Sequence, residues 1–383
     1  MSFTTLAVIG AVALIGPLLS LPRWLLMPVV VGELVGGIVL GRTGFGVIDA
    51  NDPTLSFIAQ VGFALVMFVV GSHVPIRDPL VRAGARRGVV RAVAVGILAV
   101  PAGLLLAHLF GTGHGALYAV LLASSSAALV LPAVGATGLV GRTLTDLLPQ
   151  VAVADAVCIV ALPLAIDPAH VGRALLGVVV VAASSLLLFV ALRGAERRGL
   201  RRRMHKVSQH HDLALELRVS LALLFALAAL AAAFHVSVLL AGFGFGLAVA
   251  AIGEPRRLAR QLFGLTEGFL GPLFFVWLGS SLDLRTLGSH PSEIWLGLAL
   301  GVGALGLHGM VALDRVPLSV AVLAGAQLGV PVAAATLGQQ LGLLGPGEGT
   351  ALLLGALVTI AGAAVAARAI ARTFPSKKRA ALP

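Results

Sequence analysis

The stretch 144–166, LTDLLPQVAVADAVCIVALPLAI, decides the fold, because it sets a carboxylate, Asp155, in the middle of an apolar run. The run is long enough to cross a bilayer as one helix. At about 1.5 Å per residue, Asp155 then lies roughly 15 Å from either end. A carboxylate near the midplane costs about 2.5–3.5 kcal/mol on insertion scales. Asp155 therefore reads as an ion or proton site facing protein or water rather than lipid. The alternative is a protonated or hydrogen-bonded packing residue.

Composition extends this reading to the whole chain. Of 383 residues, 58% are hydrophobic and 11% charged, against about 25% charged in soluble domains. Mean hydropathy is +1.03. Apolar stretches of about 20 residues recur throughout, which predicts an all-α polytopic membrane protein rather than a barrel of roughly 10-residue alternating strands. About thirteen spans are expected: 4–20, 24–41, 54–72, 89–110, 114–134, 144–166, 172–192, 213–234, 236–252, 261–281, 294–313, 316–343 and 350–370. The first run lacks a basic leader and a cleavage site and is read as a retained span. Cys158, the single cysteine, excludes an internal disulfide and is read as packing.

The net charge of +11 does not indicate nucleic acid, because the basic residues lie in short loops between apolar runs. One side collects Arg23, Arg77, Arg82, Arg86, Arg87, Arg142, the run RGAERRGLRRRMHK (193–206), Arg256, Arg257, Arg260, Arg315, Lys377, Lys378 and Arg379. The other side has little beyond Arg42, Arg173 and Arg285. The positive-inside rule places the C-terminus in the cytoplasm and the N-terminus outside, in a multi-pass protein of the plasma membrane. The basic linker reads as a cytosolic connection between two halves. His210, His211 and Asp212 within it are too close in sequence to argue for a metal site.

The halves resemble each other. Span three ends MFVVGSHVPIR and span ten FFVWLGSSLDLR, aligning Gly71 and Ser72 with Gly279 and Ser280, and Arg77 with Arg285. Span two contains VGELVGG and span nine AGFGFGL, aligning Gly32 and Gly36 with Gly242 and Gly246. Matching spans are seven apart, an odd number, so the copies have opposite orientation. Such inverted repeats are the architecture of many secondary transporters.

Two matching spans carry helix-breaking clusters. Span five reads LLASSSAALVLPAVGATG, with Ser124, Ser125, Ser126 and Pro132. Span twelve reads AGAQLGVPVAAATLGQQLG, with Gln327 and Pro331. Proline removes a backbone donor, and unwinding is tolerated where protein or water covers the freed groups. Two discontinuous helices would place carbonyls, hydroxyls and helix ends near the midplane, able to coordinate a cation. Intact, kinked helices are the alternative. Asp155 can hold either a proton or a small cation, and that exclusivity suffices for an antiporter. His308, deep in span eleven, is a proton carrier, a partner for Asp155, or a neutral interhelical residue. Glu33 suggests a structural or pathway role, and Glu267 lies nearer the cytoplasmic end. No P-loop, His-Glu-x-x-His or nucleophile elbow occurs, so neither ATP-driven transport nor an enzyme is expected. No cofactor is expected, and no metal beyond a transported monovalent cation.

These residues resemble the monovalent cation:proton antiporter superfamily, in its second branch of sodium/proton and potassium/proton exchangers. The similarity lies in PVVVGELVGGIVLGRTGFG, FALVMFVVGSHVPIRD, ASSSAALVLPAVGATGL, VAVADAVCIVALPL and LGPLFFVWLGSSLDL, in that order. The resemblance implies thirteen helices, a homodimer and a mobile core of spans four to six and eleven to thirteen. Residues 1–88 and 213–290 would form the dimerisation scaffold and 89–171 and 291–372 the core. Residues 172–212 would be a linker helix and basic loop, and 373–383 a cytosolic tail. The ion-binding aspartate carries over onto Asp155, and the crossed spans onto Ser125, Ser126 and the 327–331 region. The family often has Asp-Asp, Asn-Asp or Gln-Asp where this chain has Ala154-Asp155, and its electrogenic members carry a lysine in span eleven, where the nearest residue here is His308. One carboxylate and no lysine imply electroneutral exchange of one proton for Na+ or K+. With the chain closing at Pro383, no cytosolic nucleotide-binding domain is expected in cis. Two other classes stay open: a sodium-coupled organic-anion transporter of related fold, and a non-transporting membrane sensor, which Ala154 favours.

Overall fold

A computed structural model describes residues 1–20, 29–74, 79–137, 139, 141–200, 213–253, 256–310 and 316–373; helices dominate these residues, and they contain no strand. The first half comprises α1 (Phe3–Ala13), α2 (Ile15–Ser20), α3 (Val29–Leu40), α4 (Pro53–Ser72), α5 (Pro79–Phe110), α6 (Gly115–Ala123), α7 (Ala127–Thr137), α8 (Arg142–Ile166) and α9 (Val171–Arg197). The second comprises α10 (Leu215–Ala233), α11 (Val238–Ile252), α12 (Arg256–Leu265), a π-helical turn (Thr266–Leu270), α13 (Gly271–Ser281), α14 (Leu284–Ser289), α15 (Pro291–Met310), α16 (Leu318–Ala324), α17 (Gly329–Gln340) and α18 (Glu348–Thr373). Eleven segments are long and apolar enough to cross a membrane, and two shorter apolar helices, Val29–Leu40 and Val238–Ile252, stand at the places of spans two and nine. The thirteen expected spans are each represented. Arg23, Arg77, Arg315, the histidine pair of the linker and the basic tail fall outside the described residues.

The chain divides into two compact units, one of residues 1–14, 33–77 and 170–281, the other of 15–32, 78–169 and 282–383. In the first, the sequence repeat reappears as paired packing. Helix α3 of the first repeat lies on α13 of the second, and α11 of the second lies on α4 of the first. A Cβ on Gly37 would meet Val276 O at 2.2 Å, and one on Gly246 would meet Phe68 O at 2.3 Å. Likewise, a Cβ on Gly279 would meet Leu34 O at 2.2 Å and one on Gly71 Phe243 O at 2.4 Å. Only glycine permits backbones this close, as is usual where membrane helices associate. The packing pairs Gly37, not Gly36, with Gly246, one residue off the sequence alignment: the helix face turned to its partner, rather than the letter pattern, sets the equivalence. Phe63 stacks on Phe274 with ring centroids 4.6 Å apart, and Trp277 Nε1 donates to Ala50 O at 3.0 Å. Asp52 caps α4 by accepting Leu55 N–H at 3.0 Å, with Pro53 in the first turn, where its missing donor costs nothing.

In the second unit α5 begins ten residues before the expected 89. The segment GARRGVVR is polar but helix-compatible, and Gly84 and Gly88 let it lie against α8 at Thr145 and Pro149. The buried Arg91 there pairs with the buried Asp146 of α8 at 3.4 Å, so these charges are held between helices. Helix α8 runs unbroken through Pro149 and Pro163.

Candidate functional site

The interruptions fall where the polar runs are, and both lie in the second unit. Helix α6 ends in a tight turn: Ser124 N–H donates to Leu121 O at 3.0 Å and Ser124 Oγ to the same oxygen at 2.9 Å. Ser124 then turns extended, with φ −71° and ψ 155°. Helix α7 restarts at Ala127, and Ser126 O accepts Leu129 N–H at 3.1 Å and Val130 N–H at 3.0 Å. In the matching span, α16 ends at Ala324 and α17 restarts at Gly329 after residues 325–328. Pro132 is not at the break, contrary to the sequence reading. It sits inside α7, six residues beyond Ser126, and is exposed. Pro331 lies in the first turn of α17, where a missing N–H is harmless. The breaks come instead from short side chains that satisfy backbone groups in place of helix bonds.

The two breaks hold each other. Gln327 Nε2 donates to Leu121 O at 2.6 Å and to Ser124 O at 3.2 Å. In return Ser125 Oγ donates to Ala324 O at 2.6 Å. Each C-terminal half-helix end, where orphan carbonyls concentrate partial negative charge, is thus capped by a neutral donor from the other break. Ser124, Ser125, Ser126 and Gln327 are all buried.

Asp155 joins this junction from α8. Its side chain is 4% exposed, and Oδ2 accepts the N–H of Ala127, the first residue of α7, at 3.1 Å. A helix N-terminus offers unpaired donors and a positive dipole end, so the carboxylate rests where negative charge is favoured. That placement is electrostatically competent for holding a proton or a cation in turn. Beside Asp155, Ala154 is buried and supplies no polar group. Cys158 is buried and free.

The other expected residues take distinct places. His308 is buried beside the second break, where a Cβ on Gly325 would meet its Cβ and Cγ at 3.3 Å. Its Nδ1 donates to Ala304 O of its own helix at 3.0 Å, so that nitrogen is spent within α15 and not on Asp155. Glu33 is buried in α3 of the other unit, within electrostatic reach of Glu267 in the π-helical turn.

Two features escaped the sequence reading. Thr359, fully buried in α18, accepts Gln327 N–H at 3.1 Å and donates to Ala356 O at 2.7 Å, anchoring the second break. A lone hydroxyl halfway along an apolar span was the available signal. At the start of α18, the buried Glu348 carboxyl takes Tyr118 OH and His114 Nδ1, each at 2.6 Å, on Oε1, and Gly345 N–H at 2.9 Å on Oε2. The span expected from the sequence starts at 350, which puts Glu348 in the preceding loop.

A polytopic helical protein with inverted repeats, and with two interrupted helices joined over a buried carboxylate, has the architecture of secondary transporters. The chain belongs to the sodium/hydrogen exchanger, transmembrane family, whose model matches residues 10–372. It is 24% identical to the Bacillus subtilis (strain 168) protein named "Putative Na(+)/H(+) antiporter YjbQ", over 93% of this chain and 61% of that protein. The chain therefore spans about three-fifths of this curated relative. Its fold matches the sodium proton antiporter MjNhaP1 from Methanocaldococcus jannaschii, solved at pH 8, with a TM-score of 0.68 at 15% identity, covering 97% of this chain and 99% of that one.

Proposed function

We propose that the protein is a secondary active transporter that exchanges protons for a monovalent cation, Na+ or K+, with Asp155 binding proton and cation in turn. The observation that carries this reading is the buried Asp155 carboxylate at the N-terminus of α7, on the junction of the two breaks. A single carboxylate cannot hold both ions, so loading one requires release of the other. Spans four to six and eleven to thirteen act as the mobile core, which carries the site between the two faces by alternating access. The remaining spans form the scaffold and the homodimer surface. The protein lies in the plasma membrane with its N-terminus outside and its C-terminus in the cytoplasm.

Exchange is electroneutral, one proton for one cation, because Asp155 is flanked by Ala154 and span eleven offers His308 instead of a lysine. The test is cation-driven proton movement in proteoliposomes with sodium, potassium and lithium, for wild type and Asp155→Asn. A pH change with at least one cation, absent in the folded mutant and insensitive to an imposed voltage, is the expected result. Exchange that builds a membrane potential would overturn electroneutrality. Silence with all three cations in folded wild type would overturn the antiport reading itself.

A further inference from the structure

Spans six and thirteen occupy matching places in the inverted repeat, and each carries a buried acid near its start: Asp146 in α8 and Glu348 in α18. Their partners differ in kind. Asp146 meets Arg91 at 3.4 Å and Arg87 at 4.0 Å, and a guanidinium keeps its charge at any working pH. Among the described residues no arginine or lysine pairs with Glu348. Its Oε1 takes His114 Nδ1 and Tyr118 OH, each at 2.6 Å, and its Oε2 takes Gly345 N–H at 2.9 Å. A second acid stands beside the same turn. Glu293, at the start of α15, has its Cγ 3.2 Å from where a Cβ on Gly347 would stand, lies within electrostatic reach of Glu348, and leaves Oε2 buried with no hydrogen-bond partner. The other titratable groups at this end are His290 before α15, the exposed His108 of α5, Asp167 after α8, and Asp283 and Arg285 around α14.

The cluster is linked to the break by a short lever. Helix α6 has nine residues, with His114 just before it and Tyr118 within it. Its last turn carries Leu121 O, which takes Gln327 Nε2 at 2.6 Å, and Thr359 of α18 holds Gln327 N–H at 3.1 Å. Helix α6 is thus tied to α18 twice, directly at Glu348 and through Gln327 at Thr359. We propose that the His114–Glu348 contact is a proton-sensing anchor, in which protonation of His114 from the outer face tightens α6 onto α18 and slows exchange. Its sidedness and its effect on rate rest on the exchange reading above. Histidine changes charge between about pH 5 and 8. A neutral imidazole gives Glu348 one ordinary hydrogen bond, whereas the cation makes a charge-assisted bond roughly twice as strong. Helix α6 forms one side of the break whose other side, α7, holds Asp155. A firmer hold on α6 therefore resists the adjustment by which the site trades proton for cation. The arginine-held Asp146 gives the cytoplasmic face no matching response.

The test measures maximal exchange rate at saturating cation in oriented proteoliposomes. Inner pH is fixed and outer pH is stepped from about 8 to about 6, the range in which imidazole gains its charge. Wild type is compared with His114→Asn, His114→Lys and Glu348→Gln; competition by protons at Asp155 is common to all four. The expected wild-type fall exceeds that of His114→Asn by about fivefold, the step from a neutral to a charge-assisted bond. His114→Lys is expected to be slow at both pH values. Should a His114 variant fail to fold, Glu348→Gln decides, since it keeps the shape but has no charge to offer: a wild-type response in it would overturn the anchor. A second readout needs no transport. The thermal midpoint of purified wild type is expected to exceed that of His114→Asn by more at pH 6 than at pH 8, and a constant gap overturns the proposal. Exchange with the same outer-pH response in wild type and His114→Asn sinks the anchor and leaves the exchange reading standing. If wild type exchanges no cation, the exchange reading falls and the midpoints still judge the anchor.

Discussion

Thr359 accepts the backbone N–H of Gln327 across 32 residues of chain, at 3.1 Å. The bond supports a residue that in turn holds the opposite break. Replacing Thr359 by valine keeps the shape but strands a buried amide donor, which costs about 1–3 kcal/mol. Thr359→Val is expected to lower the thermal midpoint of the purified protein, and Thr359→Ser to stay near wild type. Equal midpoints for the two variants would show that the amide finds another partner.

The close approach of α3 to α13 and of α11 to α4 makes a paired prediction. Gly37→Ala and Gly246→Ala each place a methyl within 2.3 Å of a backbone oxygen, and helix axes must separate to admit it. Overpacking of this kind costs about 1–3 kcal/mol, so both variants are expected to melt earlier by similar amounts. Gly96, whose Cβ position is open, is the control: Gly96→Ala is expected to be neutral or to stabilise by up to about 1 kcal/mol. Different losses at Gly37 and Gly246 would mean that the repeats do not share this packing energetically.

The Glu348 cluster can be tested in the same assay. Tyr118 is fully buried, and its hydroxyl serves the Glu348 carboxyl at 2.6 Å. Tyr118→Phe removes one of three donors to a buried carboxyl, at a cost of about 1–3 kcal/mol. A smaller loss is expected for His114→Ala, whose ring is only half-buried. The reverse order of losses, read from thermal midpoints, would make His114 the principal partner.

What could be read from the sequence follows from where the physical signal is local. Hydropathy runs disclosed thirteen spans because each span is apolar along its own length, whether it is buried among other helices or not. Asp155 stood out because a charge in an apolar run is costly wherever the helix lies. The partner of Gln327 was not legible: Leu121 is 206 residues away, and nothing near either residue encodes that distance. Glu348 was missed because it sits at the first residue of its helix, where a carboxyl normally reads as a solvated cap. The alignment of α3 with α11 was off by one because glycine spacing in VGELVGG fits two alignments, and only the helix face decides between them.

Proline was the strongest breaker in span five, and the structure assigns the break elsewhere. Pro132 lies within α7, past Ser124–Ser126, and the unwound segment is held by Ser124 bonding back to Leu121, by Ser125 reaching Ala324 and by the amide of Gln327. A proline in a helix interior forfeits a backbone bond and costs about 3 kcal/mol or more. Pro132→Ala restores the donor without touching any of those contacts. It is expected to raise the thermal midpoint and to leave Asp155-dependent cation exchange in place. A folded Pro132→Ala protein that has lost exchange would show that the proline, rather than the serine run and its partners, keeps span five open.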